Sequence, residues 1–211
     1  MSKVPGILLL VVLFAACSQE PPEIKEKFAQ VNLRDDRDTG TVYEELSLFL
    51  HVDDEDGYED LEYLYLVQED EELFWELDAD EWTYRERDGE IWIGSNDLVT
   101  ADFTDFPPGT YRVILIDKAG ERMETEIYVK KAGRRPSLPA VTVTGGSVSL
   151  DNPPGQMDVW VYNGEELVES REFTGGTIPA GTFKGDGNTH FFIYYYDNDA
   201  GRGIVRGPFY L

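Results

Sequence analysis

Cysteine is almost absent: the 211-residue chain has one, Cys17. No disulfide can therefore close within the chain, although an exported protein would be free to form one. Histidine is nearly as scarce, with only His51 and His190, so zinc sites and His-based proton relays have little to draw on. Basic residues are outnumbered, 18 Lys and Arg against 42 Asp and Glu, for a net charge of −24. Such a chain is repelled by nucleic acid, whose binders cluster Lys and Arg, and its body is repelled by anionic lipid. The apolar run at residues 7–14 is shorter than the roughly 20 residues a helix needs to cross about 30 Å of hydrocarbon. No Gly-rich phosphate loop, zinc spacing or nucleophile elbow occurs, and the expectation is that the protein is not an enzyme. What is plentiful is aromatic: 13% Phe, Trp and Tyr, too much for a disordered chain in spite of the charge.

The N-terminus has the parts of a secretory signal: Lys3, the apolar residues 7–14, then the small residues Ala15 and Ala16. Phe14-Ala15-Ala16-Cys17 resembles the lipobox of bacterial lipoproteins. Phe14 stands where Leu, Val or Ile is usual, a looser box similar to those of spirochaetes and some other Gram-negative groups. The resemblance implies that residues 1–16 are a signal peptide, that Cys17 is acylated, and that the protein meets the membrane through that lipid. Stable anchoring takes more than one acyl chain at about 0.8 kcal/mol per buried methylene, which a multiply acylated Cys17 supplies. Ser18, in place of the Asp that retains lipoproteins at the inner membrane of enteric bacteria, implies the outer membrane. Residues 17–39, polar and with Pro21-Pro22, read as a tether with room for a short helix at 24–31.

From Thr41 the pattern changes to short runs alternating with period 2 and separated by turn residues. Strands are expected over 42–52, 61–67, 72–77, 82–87, 90–93, 110–117 and 123–129, with Asp88-Gly89 as a hairpin turn. Seven strands in about ninety residues is the sign of a β-sandwich. Lys130-Lys131-Ala132-Gly133-Arg134-Arg135-Pro136 breaks pattern and charge sign. A second series follows over 140–144, 147–150, 157–162, 166–173, 177–183, 189–196 and 203–210, with Asn163-Gly164 as its favoured turn. The expected organisation is a first acidic domain at 40–131, a linker at 132–139 and a smaller domain at 140–211. The halves read as weak copies. Leu64-Tyr65-Leu66-Val67 parallels Val159-Trp160-Val161-Tyr162, and the last hairpins, around Lys118-Ala119-Gly120 and Asp199-Ala200-Gly201, correspond. Pro108-Gly109-Thr110-Tyr111-Arg112-Val113 with Asp117-Lys118-Ala119-Gly120 resembles the final hairpin of immunoglobulin-like and fibronectin type III-like modules of bacterial surface proteins. The resemblance implies an all-β fold of two tandem immunoglobulin-like β-sandwiches, and a fold more than an activity.

Two features could carry chemistry. Asp53, Asp54, Asp56 and Asp60 crowd a Gly57 turn, and calcium takes six to eight such oxygens. The spacing departs from the EF-hand loop, and in so acidic a chain a solvated inter-strand loop is the preferred reading. Trp75, Trp82 and Trp92 are either stacking platforms for a glycan or core residues. Trp92 cannot share a strand face with Ile91 and Ile93. The run Phe191-Phe192-Ile193-Tyr194-Tyr195-Tyr196 is aromatic on both faces, as in a central strand whose outer face is covered by a partner or by the other half. The expected function is a membrane-anchored, non-enzymatic binding or scaffold module with an envelope protein as partner; the second expectation is a carbohydrate- or calcium-binding accessory lipoprotein.

Overall fold

The computed structural model describes residues 20–131, 133, 136, 138–144, 147–151, 155–174, 176–179 and 189–210. The signal segment, Cys17 and most of the linker fall outside the described residues. Apart from one short 3-10 turn at Tyr58–Asp60, the regular structure among the described residues is all strand. Successive side chains of a strand point to opposite sides, and the burial of these strands follows that alternation. β7 (Gly109–Asp117), for example, buries Tyr111, Val113 and Leu115 and turns Arg112 and Ile114 outward.

The strands before the linker are β1 (Glu23–Asp36), β2 (Thr41–Asp53), β3 (Leu61–Gln68), β4 (Leu73–Asp78), β5 (Thr83–Arg87), β6 (Glu90–Leu98), β7 and β8 (Arg122–Val129). After it come β9 (Val141–Thr144), β10 (Ser147–Leu150), β11 (Met157–Asn163), β12 (Glu166–Phe173), β13 (Thr177–Pro179), β14 (Thr189–Asp197) and β15 (Arg202–Tyr210). Of the strand expected at 177–183, the last four positions lie outside the described residues.

Both halves use the same order. Sheet β4-β3-β7-β8 of the first half matches β12-β11-β14-β15 of the second, and β1-β2-β6 matches β9-β10-β13. The first half also carries a tyrosine corner: the Tyr111 hydroxyl donates to the Pro107 carbonyl at 2.8 Å, back along the chain from the start of β7. Burial and the charges of Glu44 and Glu71 hold that phenol well above the ordinary tyrosine range.

The halves are not independent beads. β1 lies antiparallel to β2 along its whole length and parallel to β15 over Asn32–Asp36 against Gly203–Gly207. One eight-stranded sheet, β12-β11-β14-β15-β1-β2-β6-β5, therefore runs through both. This corrects the reading of residues 17–39 as a tether with a short helix: residues 23–36 are a central strand. Its buried carboxylate, Asp35, is tolerated because it has a partner. On one face Arg206 donates to Asp35 through Nε at 2.9 Å and Nη2 at 2.7 Å, and Arg202 pairs with Glu44.

That face of the large sheet is covered twice. Sheet β4-β3-β7-β8 packs a core of Leu46, Leu48, Leu50, Ile93 and Leu115 against it. The small sheet β13-β10-β9 encloses Leu33, Val148, Val159, Phe191, Ile193 and Ile204. At about 25 cal/mol per Å² of apolar area, these two cores are the main favourable term in a body without disulfides. No described helix is long and apolar enough to cross a membrane.

Candidate functional site

The opposite face of the eight-stranded sheet has no layer over it among the described residues. Strand alternation dictates what it displays. β1 sends Leu33 and Asp35 to the covered side and Asn32 and Arg34 to the open one; β2 does the same with Leu46 and Leu48 against Glu45 and Ser47. β14 turns Phe191 and Ile193 inward and leaves His190, Phe192 and Tyr194 outside. Here the twist of the sheet makes a groove of about 860 Å³ that crosses from one half to the other. Thr83, Arg85, Asn96 and Asp97 form one bank, Gly164, Glu165 and Leu167 the other, and Asn32, Arg34, Glu45, Ser47, Phe192 and Val205 lie between.

Aromatic rings interlock along the second-half side. Trp160 and Tyr194 stack with centroids 5.0 Å apart and planes 12° from parallel, and Tyr162 stacks on His190 at 5.6 Å and 7°. Phe192 meets Tyr162 edge to face at 5.5 Å. Arg34 sits over the Phe192 ring with its guanidinium carbon 4.3 Å from the centroid, a cation–π contact.

The polar part of the floor is bound by its own bonds. Asn32 Nδ2 donates to Ser47 Oγ at 3.0 Å; Gln30 Nε2 donates to Asn32 Oδ1 at 2.6 Å and to the Tyr194 hydroxyl at 3.0 Å. Gly203 makes this closeness possible, since a Cβ there would collide with Asn32, Gln30 and the Tyr194 ring. Arg34 is the exception. Its Nε is buried without a partner, its nearest carboxylate oxygen, on Glu45, is 3.9 Å away, and the guanidinium makes no hydrogen bond to any described residue. Burial pushes the Glu45 carboxyl up to about 7; Arg34 opposes that rise and Asp97 adds to it. Burial also raises the Tyr162 phenol, against the pull of Arg34 and Arg85.

The residues singled out from the sequence are spread across the molecule. Trp82 is buried in the first core, and Trp75 packs against it, stacked on Phe106 at 5.4 Å with its indole N–H donating to the Val99 carbonyl at 2.7 Å. Trp92 lies on the open face, stacked on His51 at 5.4 Å, while Ile91 and Ile93 serve the core. Of the acidic loop, Asp54 and Asp60 approach each other and are joined by Asp117, with one carboxylate oxygen of each within 4.8 Å of the others. Asp53 instead pairs with Lys25 at 3.3 Å, and Asp56 contributes its backbone N–H to Asp54 at 2.8 Å. Asp117 is buried and accepts from the Ala119 and Glu121 amides at 2.8 Å each; Asp54 Oδ2 is buried without a partner. Cys17 lies outside the described residues.

Asn32, Arg34, Glu45 and Trp160 were not singled out as site residues, whereas Phe192 belonged to the aromatic run that was. The double-sided aromatic run of β14 pointed to this face; the two β1 residues lay hidden in a stretch read as tether. A smaller cleft of about 250 Å³, where the halves meet on the covered side, is lined by Tyr128, Lys130, Lys131, Tyr196 and Arg202. Arg202 is already held there by Glu44.

No known protein family and no curated protein matches the sequence. Among solved structures the chain is similar to Tp47, the 47-kilodalton lipoprotein of Treponema pallidum, with 11% identity and a TM-score of 0.42 over 90% of this chain and 51% of that one. It thus spans about half the length of that protein. A complex of Dpr11 IG1 with DIP-gamma IG+IG2 is similar over 89% of this chain and 98% of that one, with 10% identity and a TM-score of 0.27. Neither likeness bears on function at that similarity.

Proposed function

We propose that the protein is an envelope lipoprotein, held to the outer membrane by acyl chains on Cys17, that binds a ligand without catalysis on the open face of its eight-stranded sheet. The observation that carries this reading is the groove itself: half-buried aromatic rings beside a buried amide and hydroxyl and a half-buried guanidinium, on a sheet face with no covering layer among the described residues. Clefts of 300–1,000 Å³ with aromatic walls and a few convergent polar groups are where ligands bind. The groove therefore takes the place of Trp75 and Trp82, which serve the core.

The anchor fits this geometry. Only residues 18–22, five in number, separate Cys17 from Glu23 at the start of β1. Six Cα steps reach roughly 20 Å when fully extended. Asn32 lies nine residues further, 32 − 23, about 30 Å along the strand at roughly 3.3 Å per residue. A strand tied to lipid at its near end would hold the groove clear of the bilayer, and the net charge of −24 would keep the body off anionic lipid.

A photo-crosslinking residue at Leu167, on the groove bank, tests this against one at Phe74, exposed on β4 of the other sheet. In envelopes of the producing cell, adducts are expected from position 167 only. Equal adducts from both positions, or none from 167, would remove the open face as the binding surface. Cys17→Ala is expected to move the protein from the membrane to the soluble fraction.

A further inference from the structure

The occupant of the groove is decided by what the floor offers and by what it withholds. Backbone is withheld: β11, β14, β15, β1, β2 and β6 are internal strands, each paired on both sides. An extended peptide that joins a sheet needs a free edge for its main-chain hydrogen bonds, and the floor has none: the free edges, on β5 and β12, lie at the outer margins of the two banks. Side chains must do all the recognition. What they offer is ring area from Trp160 and Phe192, the amide of Asn32, the hydroxyl of Ser47, and the Arg34 guanidinium.

Arg34 is the informative member. A guanidinium has five N–H donors in a rigid fork; of these Arg34 Nε is buried without an acceptor, which is costly until one is supplied. In this protein the fork is placed by the Phe192 ring, and Glu45 stays beyond hydrogen-bond distance at 3.9 Å. A ligand rich in acceptor oxygens would satisfy those donors. The charged residues of floor and banks are Arg34 and Arg85 against Glu45, Asp97 and Glu165, one acid in excess, which suits a neutral molecule or one whose single carboxylate lies on Arg34 and disfavours a polyanion. We infer that the groove binds a saccharide, its ring faces against Trp160 and Phe192 and its oxygens on Arg34 and the Asn32 amide. This rests on the open-face reading above and gives it a ligand class.

The test is a printed glycan array of neutral, sialylated and uronate-bearing oligosaccharides, followed by calorimetric titration of the best binder. The unaltered protein is expected to bind at least one sugar. Trp160→Ala and Arg34→Gln are each expected to weaken it tenfold or more with little change in melting temperature. Arg34→Lys, which keeps the charge and loses the fork, should fall between. Trp75→Ala, in the other half's core, should lower the melting temperature and leave affinity unchanged. Comparison of sialylated with parent sugars shows whether Arg34 takes a carboxylate or hydroxyls, both being saccharide binding. No binding to any sugar on the array overturns the inference, as does binding that Arg34→Gln and Trp160→Ala leave intact. Groove-specific photo-adducts would survive that failure, so the ligand class and the binding face are judged separately.

Discussion

The two faces of the eight-stranded sheet are built from alternate residues of the same strands and come out opposite in kind. On the covered face, Leu33, Leu48, Phe191 and Ile204 are packed away, and the charged residues among them occur as pairs, Asp35 with Arg206 and Glu44 with Arg202. On the open face the charges are looser: Arg34 and Glu45 are 3.9 Å apart, Trp160 leans on Tyr194, and Tyr162, His190 and Phe192 lean on one another, with no second layer above among the described residues. The covered face pairs its buried charges internally, although Arg202 Nε and the Tyr195 hydroxyl there have no hydrogen-bond partner among the described residues. The open face leaves some to be satisfied from outside. Stability should therefore reside on one face and recognition on the other.

The largest effect that would break this division is at Arg206. Its removal leaves Asp35 buried and unpaired where β1 and β15 join the two halves. Breaking a buried pair by removing one partner costs about 3–5 kcal/mol, out of a total of about 5–15. Arg206→Ala is expected to lower the urea midpoint by a corresponding amount; a loss below about 1 kcal/mol would show that this junction is not what unites the halves.

Next come two neighbours on β14. Phe191 is fully buried in the second core and Phe192 lines the groove. Phe191→Ala should cost about 3–5 kcal/mol, read by the same urea titration. Phe192→Ala should cost about 1 kcal/mol, mostly the aromatic pair with Tyr162 and the cation–π contact with Arg34, and should abolish ligand binding. Equal losses at the two positions would mean that the outer face is as structural as the inner one.

Much of this was legible in the sequence. β10 and β12 fall at residues 147–150 and 166–173 as the alternation predicts, and the Asp88-Gly89 turn has both residues at positive φ, 55° and 83°, as a two-residue hairpin requires. Such signals are local. β1 was missed because its evidence is distant: Ala29, Val31 and Leu33 alternate with Gln30, Asn32 and Arg34, but these polar residues and Asp35 look like a solvated segment until Ser47 and Arg206 are known to lie beside Asn32 and Asp35. The candidate site shared that fate, since it is assembled from β1, β2, β5, β6, β11, β12, β14 and β15. The acidic cluster was half legible. Asp54 and Asp60 sit in the expected loop, whereas Asp117 arrives from the β7–β8 hairpin.

Glu45 gives the comparison a pH axis. Its carboxyl is raised from 4.5 to about 7 by burial on the open face, with Arg34 and Asp97 as the facing charges. The folded state thus holds a proton that the unfolded chain releases at lower pH. Stability from this group is present below about 4.5 and is lost as pH rises towards 7. Glu45→Gln should flatten the melting temperature over that window and raise it at pH 8. An unchanged slope between pH 4.5 and 7 would show that water reaches the carboxylate and that the floor of the groove is wetter than its packing indicates.

The smallest expected effect lies beyond either face, at the end of the large sheet. Asp54 is raised first by burial, with Asp60, Asp117 and Asp56 adding to the rise and the Asp56 amide opposing it. Solvent screening limits what such a half-exposed cluster is worth. Asp54→Asn should stabilise the protein by about 0.5 kcal/mol, or roughly 1–2 °C for a chain of this size. Melting with calcium and with chelator, before and after that substitution, sharpens the assignment. Repulsion alone predicts a small calcium effect. A rise of several degrees that Asp54→Asn abolishes would instead make Asp54, Asp60 and Asp117 metal ligands, because an ion binding only the folded state stabilises it in proportion to the logarithm of its concentration.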